Sequence, residues 1–182
     1  MPPIRCSKAR TPRFGRCTKY RSAGRLSLAR TGRHIPSAGG NGRRPNDVAE
    51  AQAAVTDTHP LIFHAAGGGR LGPKASAFFE RCERRDAILY VPAAVIWECT
   101  LLARASRINL RRSVRAFFDD LFSNPAYQPL DLTPDQVFAA DETRFNRDPF
   151  DALIVSAAQS VGLPLVTRDG DIRESGAVRV IW

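Results

Sequence analysis

Past residue 50 the chain alternates short apolar runs with segments of helical period, and each run is too short to be a helix. Ala53-Ala54-Val55-Thr56-Asp57 reads as a strand, followed by a short helix from about Pro60 to Ala66. Gly67-Gly68-Gly69 breaks the chain, and Pro73 opens a helix through Arg85, with Ala77, Phe78 and Cys82 at helical spacing. Ala87 to Val91 is a second β-like run, with Pro92 at the start of the next helix. A helix over about Leu110 to Phe122 stops at Asn124-Pro125, and Tyr127 to Leu130 reads as a strand. Thr133-Pro134 is a cap and first-turn pair for a helix through about Thr143. Asp148-Pro149 repeats that device for a helix to about Val161, with Gly162 just past its end. Pro164 to Thr167 is a strand, Asp169-Gly170 a turn, and Ala177 to Ile181 a last strand. This alternation predicts an α/β domain with a central, mostly parallel β-sheet flanked by helices.

The formal charge of +9 looks like a nucleic-acid signal until it is divided along the chain. Residues 1–50 hold twelve Lys and Arg against two acids, Asp47 and Glu50, whereas residues 51–182 hold fifteen against sixteen. The first segment is rich in Arg, Ser, Gly and Pro and has no sustained apolar period. It cannot bury enough surface to offset its chain entropy and is expected to be a disordered basic extension. It reads either as an arm that neutralises phosphates or as the product of a start assigned too early, with Val48 or Val55 at the true start. Residues 51–182 are expected to be the folded domain. No run approaches the roughly eighteen apolar residues of a membrane span. Cys6, Cys17, Cys82 and Cys99 show no CxxC pairing, and Cys82 and Cys99 lie in helical, partly apolar patterns that suit packed thiols. A reducing cytoplasm is the expected location.

Four acids fall where acids are least expected. Asp57 ends an apolar strand, Asp169 follows another, Asp151 is in the first turn of a helix, and Glu98 is in the second turn of a helix that directly follows a strand. In a parallel α/β sheet, strand C-termini and the N-termini of the following helices share one edge, where ligands bind. Ala94, Val95, Leu101 and Leu102 flank Glu98 at helical spacing, so its charge needs a cation, a strong donor or an outlet to water. Each of the others has a plain structural alternative: Asp57 as a helix cap, Asp151 as the third residue of a capping box, Asp169 as a turn residue. Four acids on one edge, without a histidine or cysteine cluster, suggest a hard divalent cation.

With these residues in view, the chain from about Ala53 to Trp182 resembles a PIN domain, specifically the VapC-type toxin ribonucleases. The resemblance lies in Val55-Thr56-Asp57-Thr58-His59, in Pro92-Ala93-Ala94-Val95-Ile96-Trp97-Glu98, in Arg147-Asp148-Pro149-Phe150-Asp151-Ala152-Leu153-Ile154, and in Leu165-Val166-Thr167-Arg168-Asp169 with a last strand to Trp182. No single motif is specific; the ordered set is. The resemblance implies that Asp57, Glu98, Asp151 and Asp169 hold Mg²⁺ or Mn²⁺, with Thr167 orienting the site and Asp148 supporting it. It also implies an RNA substrate, a small antitoxin protein as partner, and a homodimer. Ala152 stands where many of these toxins have Arg, and residues 1–50 have no counterpart in a compact toxin. His59 is read as a loop residue in preference to a general base.

An acidic pocket would repel a phosphodiester unless a metal inverted the local charge. The expected chemistry is therefore metal-dependent in-line hydrolysis of RNA by water, with Arg144, Arg147 and Arg168 as candidate backbone-steering groups. A phosphatase-like site would want an aspartate at position 59, where the chain has His. A receiver-like site would want a lysine, and Lys74 is the only one after residue 50. The alternative reading from another class is a non-catalytic module that binds nucleic acid through the basic arm.

Overall fold

The computed structural model describes residues 51–143 and 147–182. The expectations of disorder and of an arm fall on residues 1–50, which with Cys6, Cys17 and Arg144 lie outside the described residues.

Among these residues five strands, β1 (Ala53–Thr56), β2 (Ile88–Pro92), β3 (Tyr127–Leu130), β4 (Leu165–Val166) and β5 (Val180–Ile181), form one sheet in the order β3-β2-β1-β4-β5. Every strand pair is parallel. Among the described residues seven helices connect them: α1 (Thr58–Ala65), α2 (Pro73–Glu83), α3 (Ala93–Arg104), α4 (Val114–Leu121), α5 (Pro134–Glu142), α6 (Pro149–Ser160) and α7 (Gly170–Ser175). Parallel strands need both faces covered, and this is visible in Ala54, Val55, Leu89, Val91, Leu165 and Val166, all fully buried. Helices α2 and α3 pack against β2, and α6 packs against β1. Tyr127, Phe79 and Leu61 are the largest fully buried side chains of the resulting core, each contributing on the order of 2–3 kcal/mol by leaving water. Cys82 and Cys99 are packed thiols; burial pushes both up to about 12, so both stay protonated at neutral pH.

The helix starts follow from local chemistry. Thr133 and Gln136 close a reciprocal capping box on α5, and Pro134 occupies its first turn. The Asp148 side chain accepts from the Phe150 N–H at 2.8 Å, and Pro149 opens α6. At the far end of α6, Gly162 takes φ +66°, a left-handed conformation that a Cβ would disfavour.

Several boundaries differ from the sequence expectation, β4 among them, which spans Leu165–Val166 and not Pro164 to Thr167. Helix α1 starts at Thr58, ahead of Pro60, because Asp57 caps it and the first turn does not need the N–H that proline lacks. Helix α4 starts at Val114, because Arg111 adopts φ 56° and the Ser113 hydroxyl accepts from the Ala116 N–H at 3.1 Å. Asp169-Gly170 is the start of α7, where Asp169 caps the Ile172 N–H at 2.9 Å. Strand β5 has only two residues because β4 offers it only two partners, Leu165 to Val180 and Val166 to Ile181.

Candidate active site

Strand β1 is central, with β2 on one side and β4 on the other. The chain leaves β1 toward β2 and later returns to the opposite side of β1, so a crevice opens beyond its C-terminal end. Asp57 is the next residue and is 4% exposed. Its Oδ1 accepts from the Thr58 N–H at 2.5 Å, and its Oδ2 accepts from the Thr167 hydroxyl at 2.7 Å. The same Thr167 oxygen accepts from the Asp169 N–H at 3.0 Å. Thr167 thus ties the end of β1 to the start of α7.

Thr58 carries out a task that the sequence reading did not assign to it. Its N–H holds Asp57, and its hydroxyl donates to Glu98 Oε2 at 2.5 Å. One buried threonine therefore bridges the carboxylate that caps α1 and a carboxylate on α3, the latter 40 residues further along the chain than the threonine itself. The available signal was a hydroxyl at the first helical position after an acidic cap, but its partner depends on how α3 packs.

Burial pushes the Asp57 carboxyl above its ordinary value, against the pull of the Thr167 hydroxyl, the His59 charge and the Thr58 N–H, and Asp169 adds repulsion. Burial likewise raises Glu98, opposed by the Thr58 hydroxyl and His59 and reinforced by repulsion from Asp57 and Asp148. Asp57 is therefore near enough to feel both Glu98 and Asp169, and Glu98 near enough to feel Asp148. Asp151 sits in the first turn of α6, one turn on from Asp148. Glu98 has Ala94 and Val95 buried beside it, while Leu101 is exposed, so the apolar face around it is only half covered. His59 is exposed, with its ring 6.0 Å from that of Phe63.

The structural alternatives for Asp57 and Asp169 are realised too: both cap helices. Capping does not exhaust them, since each Asp57 oxygen keeps a lone pair beyond its one hydrogen bond. Among the described residues, no group of three or more His, Cys, Asp or Glu side chains is drawn together tightly enough to hold an ion as placed. The donor chemistry nonetheless suits one. Desolvated, mutually repelling carboxylates such as Asp57 and Glu98 are stabilised by a hard divalent cation, and all the donors are oxygens.

Residues 54–177 match the family model of the PIN domain. The chain belongs to the PIN-domain family. PIN domains are generally nucleases and generally use divalent metals. Among solved structures, the VapBC2 complex from Rickettsia felis bound to a DNA fragment from their promoter matches at 14% identity with a TM-score of 0.52, covering 70% of this chain and 96% of that one. A toxin–antitoxin complex from Klebsiella pneumoniae matches at 18% identity with a TM-score of 0.48, covering 71% and 96%. At such identities the likeness to the first is one of fold. None of the curated proteins matches the chain. No helix among the described residues of this PIN domain is long and apolar enough to cross a membrane.

Proposed function

We propose that this PIN domain is an endoribonuclease that depends on Mg²⁺ or Mn²⁺, with Asp57, Glu98, Asp151 and Asp169 as the residues that hold the metal. The observation that carries the reading is the Thr58 bridge: two carboxylates, both disfavoured as anions by burial, are held beside each other. Holding two desolvated carboxylates side by side costs electrostatic energy that a bound cation would offset. When bound, the divalent ion would neutralise the acids, polarise the phosphodiester and make water a better nucleophile. The residues themselves fix the geometry: Thr58 and Thr167 orient Asp57, Thr58 orients Glu98, and the caps at Asp148 and Asp169 hold the helix starts that frame the crevice.

The same reading makes this the toxin of a toxin–antitoxin pair, working in the cytoplasm as a homodimer and blocked by a small antitoxin protein. The fold shared with the VapBC2 complex supports it. The test is cleavage of single-stranded RNA by the purified chain in Mg²⁺, in Mn²⁺ and in chelator. Metal-dependent cleavage that Asp57→Asn abolishes is expected. Full activity in chelator, or undiminished activity of Asp57→Asn, would sink the reading. Deleting residues 1–50 separates it from a non-catalytic module, which would lose RNA binding and have no cleavage to lose.

A further inference from the structure

Phe63, on α1, is 7% exposed and carries two cations. The Arg168 guanidinium carbon lies 5.2 Å from its ring centroid and that of Arg70 lies 5.6 Å away. The two arginines come from opposite ends of the fold's sequence. Arg70 is in the segment between α1 and α2, and Arg168 stands between Thr167 and Asp169 of the acid site. Both are exposed, and neither forms an ion pair or hydrogen bond with any described residue.

This differs from how the chain treats several other surface arginines. Arg84, Arg112 and Arg115 each pair with an aspartate at 2.8–3.2 Å. Two like charges gathered on one ring repel each other. Stacking on an aromatic face costs a guanidinium little and leaves the N–H groups at its edge free to donate. Such a pair lacks only an anion with oxygens for both forks. A nucleic-acid backbone supplies one at every phosphate.

We propose that Arg70 and Arg168, both resting on Phe63, form a two-pronged clamp for the phosphodiester backbone of single-stranded RNA beside the acid site. The clamp rests on the nuclease reading above. It acts in positioning: it attracts the strand that the carboxylates repel and sets its register without reading bases. Phe63 serves as the shared platform that holds the two guanidiniums in place before RNA arrives.

The test uses the full chain and fluorescently labelled single-stranded RNA, in chelator, across a salt series. Arg70→Gln and Arg168→Gln should each weaken binding about three- to five-fold near 0.15 M salt. Each should also lower the slope of log K against log salt by about 0.7, equally for different base compositions. Arg115→Gln, at an arginine paired with Asp119, should leave both quantities unchanged. Phe63→Leu should weaken binding on its own and add nothing in the double-arginine variant; an additive loss would overturn the platform. Unchanged affinity and slope in both arginine variants would overturn the clamp, as would an equal loss in Arg115→Gln or a loss confined to one base composition. With Mg²⁺ the arginine variants should raise KM and hold kcat, and the reverse split would also overturn it. Normal metal-dependent cleavage with unaltered arginine-variant binding rejects the clamp alone. Altered binding without cleavage in any metal rejects the nuclease reading alone.

Discussion

Thr167 and Asp57 stand 110 residues apart in the chain, and the hydroxyl of one donates to the carboxylate of the other at 2.7 Å. The same hydroxyl accepts from the Asp169 N–H, so a single oxygen aligns two of the four acids. Because Asp57 is nearly sealed from water, that oxygen has no solvent substitute.

Thr167→Ala is therefore expected to cost about 1–3 kcal/mol of stability, since it leaves a buried carboxylate short of a donor. It should push the Asp57 carboxyl still higher, because the hydroxyl is the strongest influence pulling it down. Thr167→Ser keeps the hydroxyl and should recover most of the loss. Urea unfolding of the three proteins checks this, and a serine variant as weak as the alanine variant would contradict it.

Asp57→Asn should have opposite effects with and without metal. In chelator it removes a desolvated charge repelled by Glu98 and Asp169, and the melting temperature should rise by roughly 2–5 °C. In millimolar Mn²⁺ the unsubstituted protein should melt higher than in chelator, and the variant should lose that gain. Parallel melts in both buffers decide it; a variant that gains as much from Mn²⁺ does not fit a shared site.

The Tyr127 hydroxyl donates to Glu83 Oε1 at 2.5 Å, and with the His64 ring at 2.9 Å it holds Glu83 below its ordinary value of 4.5. An acid with a depressed folded pKa adds stability above its unfolded pKa and loses it as the pH falls through the folded one. Tyr127→Phe should therefore melt below the unsubstituted protein near neutral pH, and the gap should narrow below about pH 4. The effect is modest because Glu83 is half-exposed. A gap that widens on acidification would refute the assignment.

Gly72 precedes α2 and lies under the C-terminal residue. A Cβ there would meet the Trp182 carbonyl carbon at 2.7 Å and its ring at 2.8 Å. Gly72→Ala should cost about 1–3 kcal/mol through overpacking. Trp182→Ala removes the ring but keeps the backbone carbon, so in that background the same substitution should cost less by the ring's share alone, and denaturant unfolding of the four proteins measures that coupling. Equal costs in the two backgrounds would show that the ring contributes nothing to the overpacking.

Much of the fold was legible because its determinants are local. Caps at Asp148 and Thr133, prolines in first turns and short apolar runs each act over a few residues, and the alternation of elements implies parallel pairing. The misplaced starts of α4 and α7 are where a local rule met a competing contact. The helical pattern runs back to Leu110, but the left-handed Arg111 interrupts it. Asp169-Gly170 reads as a turn until the aspartate finds the Ile172 N–H.

By itself the sequence determined which acids end strands or begin helices and in what order, because strand ends and helix starts are written in neighbouring residues. Only the tertiary structure decided what those acids touch. Thr58 meets Glu98, Thr167 meets Asp57, and Arg70 and Arg168 meet on Phe63 through strand order and helix packing. Contacts of that kind join segments tens to more than a hundred residues apart, and no local pattern encodes the distance between them.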